Sequence, residues 1–417
     1  MKGLYYLVTQ EHKDKIEQSN LNPQVCYQFL ARFFSYNREE PFVFVSGTEL
    51  KSIYSNYKQY VDFFIYNKII FVDNTYKVGE LTRRYRLREE YKSPIMLIPM
   101  TNKRYILEKI NTLNMRKKEK KKLLSKYEVF KQMKSSFVNF SNNLDFELIK
   151  KEINNIDKLH NRMFQMVMIH KIIDGDLYFQ RNTTNSRLDT NLTNLNNKYK
   201  YLCLNNNFTS IDISNSQPYF LYLFLTYFTS TYPLYYLYFH NAAKLKVILS
   251  DYQKVSALDF DEIEQFGMMV TSGSFYENLA GKLGVSKKEA KTIAFSILFS
   301  KNSSYIKEKK IFKSMFPTIC DFIFWFKEEY GYKELAITLQ RMESYNVLDN
   351  ICRIMVTDGI VPITIHDSWI VPTEQVEQAL NIINDYFKIK PKLSIDKFSD
   401  KQNELFPEYY LKLNKNE

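Results

Sequence analysis

Two stretches decide the fold that this sequence predicts: SIDISNSQP, residues 210–218, and IVPITIHDSWIVP, residues 360–372. Asp212 ends a short apolar run in the first, while His366 and Asp367 lie between two β-branched runs that predict a hairpin in the second. Two carboxylates at strand ends can hold two divalent cations, and two-metal phosphoryl transfer needs ions roughly 3.5–4 Å apart. The pair therefore suggests nucleotide polymerisation.

Each stretch also has a simpler interpretation. Ser214-x-x-Gln217 fits a capping box at the start of a helix. The polar residues of IHDS are common in ordinary turns. Neither stretch by itself distinguishes a metal-binding site from an ordinary helix start or turn.

A third segment, SKKEAKTIAFSILFSKN, places Lys287, Lys291, Phe295 and Phe299 at steps of four on one predicted helix. Each step turns about 40°, so the four residues lie within about 120° of one another. Two cations on this face can bind a triphosphate, and two rings can pack on a sugar and a base. The alternative is an amphipathic helix with solvated lysines and core phenylalanines. Together with the two Asp segments, we favour nucleotide binding.

A fourth segment, SRLDTNLTNLNN, precedes the first Asp strand. Its Arg187 can bind the minor-groove acceptors that every base pair presents, which would position a duplex without reading its sequence. The alternative is a polar surface loop, because Asn and Thr are common in loops.

In this order and spacing, the four segments resemble the polymerase core of family A DNA polymerases, the bacterial polymerase I-like group, over roughly residues 160–395. The resemblance places Asp212 and Asp367 on the two metal-binding aspartates and makes the Ile213 carbonyl a further ligand. It places His366 on the histidine that supports the primer end. The implied cofactor is a pair of Mg²⁺ ions, for which Mn²⁺ can substitute.

The resemblance also assigns the nucleotide-binding positions. Lys287 and Lys291 would hold the triphosphate, and Phe295 and Phe299 would pack on the nucleotide and the templating position. Gln217 falls where the family has a glutamate that crowds a ribose 2′-hydroxyl.

The remaining positions concern the primer–template. Arg187 and Asn194 match conserved positions of a family segment that contacts the primer terminus. Gln340, in LQRMES, matches the glutamine of a helix that precedes the second Asp segment, and this is the weakest of the matches.

The chain departs from the family at several of these positions. Gln217 keeps the length of Glu without its charge. Ser368 replaces a Glu of the family. The resulting HDS is the sequence that the related single-subunit phage-type RNA polymerases have at this position. Lys287 replaces Arg, which removes the bidentate fork, and Phe299-Ser300 replaces Tyr-Gly. We expect a divergent branch whose preference between dNTP and rNTP is open.

Composition agrees with a nucleic-acid partner. The chain has 417 residues, 45% of them hydrophobic, and a net charge of +12, so it can bury a large core and attract a polyanion. An acidic membrane surface would also suit the charge. The four cysteines form no CxxC pair, and we expect a reducing, cytoplasmic location.

One apolar segment, from Pro218 to Phe239, carries no formal charge and meets the length of a membrane span. We predict buried helices under the polymerase sheet instead, because the segment follows the first Asp turn directly. No signal peptide is apparent at the beginning of the sequence.

Upstream of the core, residues 1–95 resemble a winged-helix domain. A helical stretch precedes two β-rich runs that flank DNTYKVGELTR, with Tyr76, Gly79, Tyr85 and Leu87 in the predicted hairpin. The wing would carry Arg83, Arg84, Arg86 and Arg88 for phosphate contacts. The alternative is a small packing domain with a basic hairpin.

Residues 96–160 include RKKEKKKLLSK, which is either a solvated helix face or a basic, thumb-like duplex-binding segment. We favour the thumb. No spaced acidic constellation marks a second metal site, so we expect no proofreading exonuclease.

The sequence thus predicts an α+β fold: a polymerase right hand with an antiparallel palm sheet, helical fingers and a basic helical thumb, after a winged-helix-like domain. Palm and fingers would occupy residues 161–417. The predicted function is a template-directed DNA polymerase of a phage or other mobile element, acting on DNA primer–template and nucleoside triphosphates, with replication accessory proteins as further partners. A primase-like or single-subunit RNA polymerase, and a non-catalytic DNA-binding replication initiator, are the alternatives.

Overall fold

The computed structural model describes residues 4–35, 40–73, 82–111, 128–142, 144–202, 207–229 and 258–407. The protein is a mixed α+β chain. It divides into two compact units. Unit 1 is Met1–Ser125, Ser141–Tyr178 and Thr190–Leu204, and unit 2 is Lys126–Phe140, Phe179–Asp189 and Asn205–Glu417. The three domain ranges predicted from the sequence stay predictions.

The elements follow in chain order. The strands are β1 (Tyr5–Thr9), β2 (Val43–Phe44), β3 (Ile70–Asp73), β4 (Arg84–Leu87), β5 (Ile95–Pro99), β6 (Phe179–Arg181), β7 (Leu188–Thr190), β8 (Phe208–Ile213), β9 (Ile363–Ile365), β10 (Ser368–Pro372) and β11 (Leu393–Lys397). The helices are α1 (Gln10–Glu17), α2 (Pro23–Phe33), α3 (Gly47–Ile53), α4 (Tyr57–Tyr66), α5 (Glu128–Asn142), α6 (Phe146–Asn154), α7 (Leu159–Ile173), α8 (Asn191–Asn194), α9 (Ser216–Thr229), α10 (Phe260–Ser272), α11 (Phe275–Leu283), α12 (Lys287–Phe299), α13 (Ile306–Met315), α14 (Pro317–Tyr330), α15 (Glu334–Ser344), α16 (Cys352–Thr357), α17 (Val376–Tyr386) and α18 (Phe398–Leu405). A π-helix, Tyr345–Ile351, joins α15 to α16.

Unit 1 contains two small antiparallel sheets, one of order β1-β5 and one of order β2-β4-β3. Alternation along β4 buries Tyr85 and Leu87, and the Tyr85 ring stacks on Phe33 of α2 with centroids 4.8 Å apart. The described part of the predicted basic hairpin is β3 paired with β4. Its tip, with Tyr76 and Gly79, lies outside the described residues, and the winged-helix assignment stays a prediction.

Unit 2 is built on a four-stranded antiparallel sheet of order β11-β8-β10-β9. Its core is apolar, because Ile211, Trp369 and Val371 are all fully buried. Asp212 of β8 lies opposite Ser368 of β10 on one side and opposite Ser394 of β11 on the other. The sheet therefore holds the first predicted metal ligand near the end of a central strand.

Local sequence signals set the ends of several helices of unit 2. The side chain of Ser286 accepts a hydrogen bond from the Glu289 main-chain N–H, and the Glu289 carboxylate accepts one from the Ser286 N–H, so a capping box starts α12. Gly273 ends α10 at a φ of +84°, a left-handed conformation that glycine adopts without strain. Pro317 occupies the first turn of α14, where its missing N–H costs nothing.

Two predicted segments lie wholly or partly outside the described residues. RKKEKKKLLSK of the predicted thumb lies there entirely. Of the apolar segment from Pro218 to Phe239, the part up to Thr229 belongs to α9, where Tyr219, Phe220 and Phe224 are fully buried, and the rest is outside. Within the described ranges, no helix has both the length and the apolar character of a membrane span.

Candidate functional site

The two predicted metal-binding aspartates lie at neighbouring strand ends of the unit 2 sheet. His366 and Asp367 form the two-residue turn between β9 and β10. The Ile213 N–H donates to the Asp367 carbonyl across 3.3 Å, next to the pairing of Asp212 with Ser368. The hairpin predicted from the sequence is therefore present, and its turn lies beside the end of β8.

The geometry of this turn explains the residues found in it. Two-residue hairpin loops need a positive φ, and His366 adopts one of +54°. His tolerates that conformation better than most residues other than Gly and Asn. The hydroxyl of Ser368 donates to the Ile365 carbonyl at 2.9 Å. This hydrogen bond spans the two-residue turn and closes the hairpin.

A buried carboxylate that the sequence reasoning passed over connects the predicted residues. Glu343 of α15 accepts two hydrogen bonds from Arg187, from Nε at 2.7 Å and from Nη2 at 2.9 Å. It also accepts one from the Ser216 hydroxyl at 2.8 Å and one from the Gln217 amide at 2.6 Å. The Glu343 side chain is only 1% exposed. Because charge-assisted bidentate pairs fix geometry strongly, Glu343 holds Arg187 and the start of α9 in place.

Gln217 is thus not part of a helix cap, the simpler interpretation of the first Asp stretch. Its amide nitrogen binds Glu343, and its Oε1 is buried with no hydrogen-bond partner among the described residues.

The electrostatics of this cluster follow from its burial. Burial raises the pKa of Glu343, the charge of Asp367 raises it further, and Arg187 acts in the opposite direction. Burial lowers the pKa of His366, and the positive charge of Arg187 lowers it further. The imidazole is therefore neutral near pH 7, and its buried Nδ1 has no hydrogen-bond partner in the described part of the chain.

Further hydrogen bonds fasten the loop that carries Arg187 to α15. Asn185 donates to the Gln340 side chain at 3.0 Å. Arg341 donates to the Thr184 carbonyl at 2.7 Å, and Ser344 donates to the Ser186 carbonyl at 2.6 Å. Gln340, predicted to contact the primer–template, here supports the Arg187 loop.

The predicted nucleotide-binding helix is present as α12, and its four chosen residues avoid the core. The buried positions are Ala290, Ala294, Ile297 and Leu298. Both lysines are exposed, and both phenylalanines are half-buried with ring centroids 5.7 Å apart. The solvated lysines fit both interpretations of this helix, and the partly buried phenylalanines leave nucleotide binding a prediction.

Tyr276 of α11 connects the region of α12 with that of the aspartates. The Lys291 ammonium lies 6.0 Å from its ring centroid. Burial raises the pKa of the Tyr276 hydroxyl, and the nearby charge of Asp367 adds to that rise. Lys287, at the start of α12, forms an ion pair with Glu277 of α11.

Asn194, the other predicted primer–template residue, ends α8 in unit 1. Its amide binds the Tyr178 hydroxyl, and its carbonyl accepts a hydrogen bond from Gln165 at 3.3 Å. The structure therefore gathers Arg187, Gln217 and Asp367 around Glu343. His366 lies near Arg187, and Asn194 makes its contacts elsewhere.

Sequence reasoning missed Glu343 and Tyr276. The available signal for Glu343 was its place in LQRMES, one helical turn after Gln340. Within the ranges that the structure describes, no three His, Cys, Asp or Glu side chains form a group that could hold a metal ion.

No family model matches the chain. No curated protein matches it either. Among solved structures, the chain is similar to the POL domain of Pol1 from M. smegmatis, in complex with DNA primer-template and dNTP, at a TM-score of 0.28 and 10% identity. The match covers 57% of this chain and 52% of that one, about half of each, and at this TM-score it carries no argument about fold or function.

Proposed function

We propose that this chain is a template-directed nucleotidyltransferase, and most specifically a DNA-directed DNA polymerase without a proofreading nuclease. The observation that carries the proposal is the placement of Asp212 and Asp367 at neighbouring strand ends, with Ile213 hydrogen-bonded to Asp367. The order and spacing of the four sequence segments support it. The right-hand arrangement of palm, fingers and thumb belongs to the same proposal.

The donors at this position suit Mg²⁺. Magnesium prefers oxygen ligands, and it is commonly bound by one or two carboxylates while phosphates and water complete its shell. Asp212, Asp367 and the Ile213 carbonyl supply such oxygens, so a group of three acidic or imidazole side chains is not required. When bound, the ions would activate the attacking oxygen and stabilise the leaving one.

The surface of α12 suits a triphosphate. Its lysines are exposed, and the ion pair of Lys287 with Glu277 joins side chains that are 61% and 51% exposed. Exposed pairs of this kind contribute only about 0–1 kcal/mol, so a polyphosphate can displace Glu277. Phe295 and Phe299 then offer ring surface one and two turns further along the helix.

An RNA-synthesising enzyme is the second candidate, and Gln217 is the observation that favours it. A neutral amide replaces the family's glutamate, and its buried Oε1 accepts no hydrogen bond from the part of the chain that the structure describes. Such an acceptor can receive a hydrogen bond from a ribose hydroxyl.

Primer extension tests both candidates. The purified chain is given Mg²⁺ and a labelled primer–template, with dNTPs in one reaction and rNTPs in another. We expect extension with dNTPs, and we expect Asp212→Asn or Asp367→Asn to lower it by at least about a hundredfold, because each removes metal-binding charge. Primer–template affinity should remain, since phosphate contacts supply it.

Asp396→Asn is the matched control, because Asp396 lies on β11 of the same sheet and pairs opposite Ser210. It should extend primers as the wild type does. Extension mainly with rNTPs would transfer the assignment to an RNA polymerase or primase. Undiminished extension by Asp367→Asn would refute the proposal, and tight DNA binding without extension would favour a replication initiator.

A further inference from the structure

The three-stranded sheet of unit 1, of order β2-β4-β3, presents an aromatic and basic outer face. The face is made of Phe42, Phe44, Phe71, Arg84 and Arg86. Phe44 lies opposite Arg84, and Phe71 lies opposite Arg86, so these side chains share one side of the sheet. The other side carries the buried residues that pack on the helices. Alternation along the strands therefore separates a core face from an outer face.

The arginines of the outer face lie against its rings. The Arg84 guanidinium is 5.1 Å from the Phe42 centroid and 5.9 Å from that of Phe44. The Arg86 guanidinium is 5.2 Å from Phe42 and 5.3 Å from Phe71. These distances fit cation–π contacts, which hold the two charged groups at the sheet surface.

The outer face remains open to solvent. Phe44 is 52% exposed and Phe71 is 40% exposed. Arg84 and Arg86 are both half-buried, and Arg84 also forms an ion pair with Asp73. The face thus combines exposed ring surface with two guanidinium groups that lie against the rings.

We propose that this outer face is a binding platform for single-stranded nucleic acid, separate from the proposed polymerase chemistry. Every base has a π-face that can stack on an aromatic ring, and arginine binds the phosphates between bases. A duplex keeps its bases stacked inside, so exposed phenylalanines would add little to its binding. The combination of rings and positive charge therefore favours a single strand.

The test is fluorescence anisotropy of the full-length chain with labelled oligo(dT) and oligo(rU) of about 20 nucleotides, longer than the about 4–16 nucleotides that one small binding fold occupies. Phe44→Ala and Phe71→Ala should each weaken binding about tenfold or more to at least one of these strands. Arg86→Gln should lower the slope of log affinity against log salt concentration by about one. Comparison of the two oligomers shows which sugar the platform accepts.

Two matched variants control for folding. Phe44→Tyr keeps the ring and should bind as the wild type does. Tyr66→Ala removes a ring that is 86% exposed on α4, outside the platform, and should leave binding unchanged. Asp212→Asn should also keep full oligonucleotide affinity, so a failure of the polymerase proposal would not affect this result.

The inference is overturned if the two alanine variants bind both oligomers as tightly as the wild type. It is also overturned if they lose the same factor of affinity for a blunt duplex of equal length, because the face would then serve duplex phosphates rather than bases.

Discussion

At the scale of single residues, a glutamine at position 217 has a physical reason in this chain. The Gln217 amide donates to Glu343, which also binds Arg187 and the Ser216 hydroxyl. A glutamate at 217 would place a second carboxyl beside a buried one, where like charges repel strongly. Glutamine provides a donor at the same length, and so completes the hydrogen bonds of Glu343.

Gln217→Glu should therefore destabilise the protein in a pH-dependent way. Loss of a hydrogen bond to a charged group costs about 1.5–3 kcal/mol of unfolding free energy. Repulsion raises the pKa of one carboxyl in the folded state. Below this raised pKa and above the ordinary carboxyl pKa, the folded state therefore binds one more proton than the unfolded state. Stability then falls as pH rises through the raised pKa.

Denaturant unfolding at pH 5 and pH 8 measures this effect. Gln217→Glu should be closer to the wild type at the lower pH. Gln217→Met, which loses the hydrogen bond without adding a charge, should show a smaller additional pH dependence than Gln217→Glu, because only the lost donor then raises the pKa of Glu343. Equal destabilisation by Gln217→Glu at both pH values would contradict the mechanism.

At the scale of elements, two buried lysines bind the C-terminal end of α12. The Lys327 ammonium, from α14, donates to the carbonyls of Ile297 at 2.7 Å and Ser300 at 3.0 Å. Lys309 of α13 donates to the Ser300 hydroxyl at 2.9 Å and to the Lys301 carbonyl. The last carbonyls of a helix lack partners within it, and cations near them are favourable. The end of the proposed nucleotide-binding helix is thus anchored to its neighbours.

Titration of Lys327 makes a second stability prediction. Burial lowers its pKa to about 7, the nearby charge of Lys309 contributes, and Cys320 acts in the opposite direction. At pH values between about 7 and the ordinary lysine pKa, the unfolded chain therefore binds more protons than the folded chain. Unfolding free energy should therefore rise with pH, by about 1 kcal/mol between pH 7 and pH 8.

Chemical denaturation at the two pH values tests this prediction through the difference between variants. Lys327→Met should lack the rise, and Lys288→Met, at an exposed position of α12, should keep it. An equal rise in both variants would assign the pH dependence to other groups.

At the scale of the whole molecule, positive charge should govern affinity for nucleic acid. The chain has 58 Lys and Arg against 46 Asp and Glu, a net charge of +12. Lysine and arginine release counterions when they neutralise phosphates, so binding weakens as salt rises.

Duplex affinity should therefore depend steeply on salt. With six phosphate contacts, the dissociation constant should rise about a thousandfold between about 50 and 200 mM NaCl. Titrations by anisotropy over that range measure the slope of log affinity against log salt. A slope near zero would show that the charge does not serve nucleic-acid binding.

Local sequence was enough to predict the elements that carry most of the site. The β-branched runs around His366-Asp367 predicted the hairpin, and the four-residue spacing from Lys287 to Phe299 predicted the helix that is α12. These signals come from residues that are close in sequence, so the pattern of residue types is enough to predict the local structure.

The roles of Glu343 and Tyr276 could be recognised only from the tertiary structure. Glu343 binds Arg187, which is 156 positions away in the sequence, and Gln217, which is 126 positions away. On a helix, a buried carboxylate has the same local pattern as a solvated one, and only its distant partners distinguish them. The same limit applies to Gln340, whose predicted contact with the primer–template stays a prediction. Its hydrogen bond with Asn185 spans 155 positions of the sequence, because long-range packing chooses the partner of a polar side chain.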